Sequence, residues 1–336
     1  MQQLQFQGNH YTIGQKWGRM LKQNKIHLME SVPFQETEER RQFVETCLPF
    51  YQRFCPDILA EIQGIADGQE ISVKRLQSVL FGMYCLMPEE PHCSSFLVRN
   101  KSGVFLGRNS DFLTITEERC MNIRYSFDDA GHYDFLGNTT AFVEMEDGIN
   151  QYGLAIALTS VAPYKVQPGI NVGMLLRLVL ERCKSVDDAI VLITQIPHVG
   201  SGTLVIGDAQ QQGILVELSP DKMAIRRLEK EQDCLIATNM FNLPEMKTFN
   251  RLPEDTWFAE ERYHTMTHYL SENLETIDLK QSQELLSGKF GFMCEYDRST
   301  GKDTVWSCVY DLQSSEIFRS AGNPSRNEFQ QDKGFS

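Results

Sequence analysis

The 336-residue chain lacks most of the features that would assign it at a glance. It has no long hydrophobic run: the longest apolar stretches, Leu154 to Leu158 among them, are far shorter than the ~20 residues of a membrane helix. The N-terminus, MQQLQFQGNHYTIGQKWG, has no apolar core of signal-peptide length, so neither export nor anchoring is expected. Basic residues are scarce and unclustered, 32 Lys and Arg against 45 Asp and Glu, giving a net charge of −13. Nucleic acids and anionic membranes both need a concentrated positive field, so neither is an expected partner. No GxGxxG or P-loop pattern occurs, which removes the common phosphate cradles. The nine cysteines form no CxxC pair and no regular spacing, which argues against a disulfide framework or structural zinc. A reducing, cytoplasmic location is expected, with no cofactor and no metal.

Apolar periodicity then divides the chain. The first 92 residues read almost wholly as helix: Gln15 to Ser31, Glu38 to Phe54, a short helix opened by Pro56 and ended by Gly68, and a fourth from Ser72 to about Leu86. Pro88, Glu89, Glu90 and Pro91 break that pattern, and His92-Cys93 follows at once. Beyond it come short strands at 95–99, 104–108, 122–127, 140–146 and 153–161, then two helices, GMLLRLVLERC and SVDDAIVLITQI. A meander of four strands, a helix from Trp257 to Leu274 and two final strands complete the chain. The pattern predicts a helical N-terminal segment, 1–92, and a catalytic domain, 93–336, of antiparallel sheets covered by helices.

One stretch concentrates chemistry: HCSSFLVRNKSGVFLGRNSDF, from His92 to Phe112. A hairpin here carries the end of its second strand back beside Cys93, bringing Arg108 and Asp111 with it. A guanidinium near a thiol favours the thiolate; Asp111 must serve another group. Taken singly, each residue has an ordinary structural role available. His264 and His268 stand four apart, but no Glu lies between them in the HExxH arrangement, so they read as a solvated face.

The stretch resembles the cysteine N-terminal-nucleophile (Ntn) hydrolases that cleave linear amides, whose pattern is a Cys, two small residues, an apolar strand, a Gly turn and G-R-N-x-D-[FW]. Cys93, Ser94, Ser95, Gly107, Arg108, Asn109, Asp111 and Phe112 match it. So do Gly148-Ile149-Asn150-Gln151-Tyr152-Gly153-Leu154-Ala155 (with Gln151 where Glu is usual), Asp208, Gly213, Glu217, Ser219-Pro220, Thr238-Asn239 and the helix bearing Arg262. The helical residues ahead of Cys93 resemble the autoproteolytic branch of acyl-coenzyme A:isopenicillin N acyltransferases.

The resemblance implies a four-layer αββα sandwich of two antiparallel sheets. It also implies a zymogen cut between His92 and Cys93, leaving Cys93 as nucleophile with its own α-amine as base. Asp111 would then orient the amine, Arg108 would stabilise the thiolate, Asn239 would donate to the oxyanion, and Arg262 would contact the thiol side or the substrate. Asn150, Thr159 and Ser160 are assigned to substrate binding. Thr159-Ser160 stands where bile-salt hydrolases carry an Asn, which disfavours bile salts. The expected partner is a small-molecule amide, with an acyl donor or acceptor amine, and a homo-oligomer is compatible with all of this. Two rival readings are a papain-like hydrolase pairing Cys93 with His132 or His198, and a non-catalytic binding protein.

Overall fold

The computed structural model describes residues 1–30, 37–87, 92–251 and 254–335. The expected helix end at Ser31 and the break at Pro88 to Pro91 lie outside them.

The chain opens with a strand, β1 (Gln2–Gly8), then α1 (His10–Gln23), α2 (Glu38–Phe54), α3 (Pro56–Gln69) and α4 (Val73–Leu80). α2 has the expected bounds: Thr37 caps it by accepting from Arg40 N, and Glu38 and Glu39 face the positive end of the helix dipole. α1 starts earlier than predicted because Asn9, not a later residue, caps it at Thr12 N. Gly68 does not end α3; Glu70 takes the left-handed C-cap instead. Gly14 and Gly18 of α1 face Gly64 and Gly68 of α3, and a Cβ at any of these would strike the backbone of the other helix. These glycines exist for close approach, not termination.

The remainder contains β2 (His92–Asn100), β3 (Gly103–Leu113), β4 (Met121–Phe127), β5 (Phe135–Thr139), β6 (Asp147–Asn150) and β7 (Ala155–Ser160). After these come α5 (Val172–Arg182), α6 (Val186–Gln195), β8 (Gly202–Gly207), β9 (Gly213–Leu218), β10 (Met223–Arg227) and β11 (Asp233–Ala237). The chain ends with α7 (Ala259–Asn273), α8 (Leu279–Leu286), β12 (Lys302–Asp311), β13 (Glu316–Ser320) and β14 (Gln330–Gln331). The strand expected at 140–146 is a loop between β5 and β6, and α8 has no counterpart in the predicted pattern.

An eight-stranded sheet runs β1-β4-β5-β6-β7-β8-β9-β10 and a six-stranded one β11-β2-β3-β12-β13-β14. Among the described strands every pairing is antiparallel except β1 with β4. The N-terminal segment therefore supplies an edge strand to the larger sheet, which its polar sequence, QQLQFQG, conceals. The layers follow from alternation along the strands. Ile156, Leu158, Leu204 and Ile206 face α1–α6, whereas Ala155, Ala157 and Val205 meet Leu97, Leu106 and Tyr310 of the other sheet. Phe96, Val98 and Val309 face α7 and α8. The result is the expected αββα sandwich.

Candidate active site

Register places the site. In the β2–β3 hairpin His92 lies opposite Asp111, Cys93 opposite Ser110 and Ser95 opposite Arg108. Cys93, Ser95, Arg108 and Ser110 thus share the face turned to the other sheet, and Arg108 is the diagonal neighbour of Cys93. Its Nη2 lies 2.9 Å from Cys93 Sγ. Asp111 is on the opposite face by parity. Its carboxylate accepts from Thr304 Oγ1 (2.6 Å) and Tyr296 OH (3.0 Å) and sits 3.3 Å from Arg262 Nη1.

Arg262 bridges the faces. From α7 it donates through Nη1 to Cys93 O (2.6 Å) and Ser94 Oγ (2.8 Å), and through Nη2 to Asn239 Oδ1 (2.9 Å). Asn239 Oδ1 also accepts from the Cys93 backbone N at 3.1 Å, while its Nδ2 donates to Ser160 O at 2.9 Å. In the continuous chain, then, Asn239 rather than Asp111 contacts the nitrogen of residue 93. His92 stacks on Trp257 with ring centroids 4.6 Å apart. Burial, with Arg262 and Lys302 nearby, holds its imidazole well below the usual range, so it is neutral.

Two acids completing the cluster escaped the sequence reading. Glu146 Oε2 lies 3.1 Å from Arg108 Nη2, and Asp147 Oδ2 lies 2.8 Å from Nη1. Asp147 also accepts from Trp306 Nε1 (2.9 Å) and Tyr310 OH (2.5 Å). Both acids come from the stretch predicted as a strand and its junction with β6. The available signal was an acidic pair, EMEDG, just ahead of the Gly148-Ile149-Asn150 motif. Glu146 also bears on the Cys93 thiol. Burial pushes the Cys93 thiol up to about 12; Arg108 opposes this, but Glu146 and Asp111 add to it. A guanidinium already shared between two carboxylates does not make a resting thiolate.

The residues assigned to substrate separate. Thr159 is buried on the inter-sheet face with no partner for Oγ1 among the described residues, and Ser160 contributes its carbonyl to Asn239. Asn150 points the other way. Its Nδ2 donates to Leu180 O and Cys183 O at the end of α5, and its Oδ1 accepts from Tyr152 N and Leu154 N. All its bonding capacity is spent shaping that turn.

Histidines do not serve the thiol. His132 is engaged by Asp57 and Asp129, and burial pulls His198 down to about 4 with its Nδ1 unpartnered. No Cys–His pair forms among the described residues. His264 and His268 lie exposed beside Glu260 and Glu272.

Residues 98–326, over two thirds of the chain, match the acyl-coenzyme A:6-aminopenicillanic acid acyl-transferase family. The chain belongs to that family. Cys93 lies just ahead of the matched span and Arg108, Asn239 and Arg262 lie within it. A curated relative, the 40 kDa form of acyl-coenzyme A:6-aminopenicillanic-acid-acyltransferase of Emericella nidulans, is 26% identical over 223 residues, 64% of this chain and 60% of that one. The chain thus spans about three fifths of the length of the curated relative it matches. Among solved structures it is similar to penicillin V acylase from Agrobacterium tumefaciens, with TM-score 0.47 and 15% identity over 68% of this chain and 82% of that one. It is also similar to a mutant conjugated bile acid hydrolase from Clostridium perfringens, with TM-score 0.45 and 16% identity over 72% and 96%. No helix among the described residues is long and apolar enough to cross a membrane.

Proposed function

We propose that this acyltransferase-family chain is an autoprocessed N-terminal-cysteine amidohydrolase or acyltransferase, and that Cys93 is both its cutting group and its nucleophile. The observation that carries the reading is the thiol of Cys93, 2.9 Å from Arg108 Nη2, on a residue whose backbone nitrogen is held by Asn239 Oδ1.

Processing is a transfer within the chain. Sγ bonds to the His92 carbonyl carbon as the 92–93 C–N bond breaks, and the thiol proton ends on the new amine. Water then hydrolyses the thioester, releasing residue 92 as a carboxylate and freeing the thiol. The α-amine of Cys93, with an ordinary pKa of roughly 8, now serves as general base near neutral pH. Asn239 Oδ1 orients it, and Asp111 acts through Arg262 rather than by touching it. Arg108 stabilises the thiolate as the proton leaves. Attack on a linear amide or thioester carbonyl breaks its C–N or C–S bond, the leaving amine or thiol takes the proton held by the α-amine, and the resulting acyl-cysteine passes to water or to an acceptor amine. The oxyanion is met by Asn239 Nδ2 once it leaves the Ser160 carbonyl.

An apolar cluster of Val161, Ala224, Phe241 and Met246, with Leu243 and Phe249 against it, adjoins Ser160 and Asn239 and suits an acyl or aromatic tail. Among the described residues the cysteines form no disulfide, which suits a reducing cytoplasm. Residues 1–92 would persist as the smaller chain of the zymogen product.

Intact-mass spectrometry tests the proposal. Wild type should give two chains divided at His92–Cys93, and Cys93→Ala a single chain with turnover reduced at least about 10⁴-fold. A wild type that stays whole while turning over N-acyl amino acids, or acyl-coenzyme A with 6-aminopenicillanic acid, rejects the processing step. Equal turnover in Cys93→Ala rejects the nucleophile.

A further inference from the structure

Away from Cys93, on the helix side of the larger sheet, two histidines and three acids converge that the proposed chemistry does not use. His10 opens α1 and is buried; Asp129 and His132 lie in the turn between β4 and β5. One ligand-capable atom from each of the three lies within 4.8 Å of the other two. The rings themselves meet edge to face, centroids 4.5 Å apart. His132 Nδ1 is 2.8 Å from Asp129 Oδ1 and its Nε2 is 3.2 Å from Asp57 Oδ2. His10 Nε2 is 3.2 Å from Glu181 Oε1.

A neutral imidazole donates only once. His132 nevertheless has a carboxylate oxygen within 3.2 Å of each ring nitrogen. The surroundings are those of a metal centre. Each histidine has an outer carboxylate, Glu181 or Asp57, that fixes its tautomer and makes the ring a stronger ligand, and those carboxylates are themselves tied to Arg177 and Arg182. Asp129 is 47% exposed, which provides an entry path and room for water in the fourth position.

We propose that His10, Asp129 and His132 bind one divalent transition-metal ion of the zinc class. Two imidazoles and a carboxylate suit zinc, cobalt or nickel and are a poor match for calcium or magnesium, which prefer all-oxygen shells. Because His10 precedes Cys93 and the other two follow it, the ion clamps the N-terminal segment onto the catalytic part.

Calorimetric titration of the full-length Cys93→Ala protein with Zn²⁺ should give one site, and Zn²⁺ should raise its melting temperature. Co²⁺ bound there should show the d–d bands of a nitrogen–oxygen site without the charge-transfer band of a thiolate ligand. Asp129→Asn, at a half-exposed position, and His132→Gln should each weaken binding at least about tenfold while circular dichroism stays unchanged. Absence of stoichiometric binding, a thiolate band, or affinity unaltered in both folded variants overturns the proposal.

Discussion

Two fully buried arginines, Arg108 and Arg177, are built alike but sit in different surroundings. Each holds two carboxylates and a backbone carbonyl: Glu146, Asp147 and Leu158 O for Arg108; Glu61, Glu181 and Val143 O for Arg177. Each lies over an aromatic ring, Trp306 and Tyr125 respectively. The difference is where the partners originate. Arg108 draws both acids from adjacent positions at the entry to β6, and its Nη2 also reaches Cys93 Sγ. Arg177 draws one acid from its own helix and one from α3, so it fastens the N-terminal helices to the catalytic sheet. Two similar charge clusters thus stand in different surroundings, one beside the Cys93 thiol and one between helices.

The largest expected effect tests that contrast directly. Arg108→Leu should lower turnover of the processed enzyme by about 10²–10³-fold or more, as for loss of one preorganised charge donor. The matching Arg177→Leu should leave turnover per folded molecule near wild type, as steady-state kinetics on both would establish. Its penalty is in stability: with Glu61 and Glu181 left buried, urea denaturation should register a loss of about 3–5 kcal/mol. Equal kinetic defects in the two variants would erase the distinction.

Glu146→Gln is a finer probe. Burial chiefly, with Glu146 adding to it, holds the Cys93 thiol up, so removing the Glu146 charge should let Arg108 lower it. Iodoacetamide should then label Cys93 several-fold faster at pH 8, and the labelling profile should move to lower pH. An unmoved profile would mean that burial alone governs the thiol.

The smallest effect concerns Glu217, a buried acid that makes no ion pair with an arginine among the described residues. Glu217 accepts from Asn242 N (2.6 Å) and Leu243 N, yet burial lifts its carboxyl to about 7. A folded pKa above the unfolded value of about 4.3 means that the folded state binds more protons between those limits. Stability from this group therefore falls as pH rises from about 4 to 7 and is level above. Glu217→Gln removes that slope, so its unfolding free energy relative to wild type should increase between pH 5 and pH 8. A pH-independent difference would show that the two backbone bonds outweigh the burial.

How much of this was legible depends on sequence distance. The hairpin could be read because its turn and both strands fall within about twenty residues, and register alone then put Arg108 diagonal to Cys93. Parity along the strand could have shown as well that Asp111 faces away from the thiol. Tyr296 and Thr304 were not legible, because they arrive from distant parts of the chain and carry no local pattern, and Glu146 and Asp147 left only an acidic pair ahead of the Gly148-Ile149-Asn150 motif. β1 was hidden for a related reason: an edge strand paired on one side only needs little apolar content, and Phe6 is its one buried large side chain. Gly14, Gly18, Gly64 and Gly68 carry a helix-packing signal at spacing four, which along one helix alone looks like a stop.

That edge strand and the glycine-packed helices also determine what kind of reaction unfolding is. In the uncut chain, separating β1 from β4 and α1–α4 from the sheet is a first-order event at fixed effective concentration. Once the 92–93 bond is open, the same separation is a dissociation of two chains, and the midpoint of melting rises with protein concentration. The proposed cut of one peptide bond would thus change the molecularity of the native state.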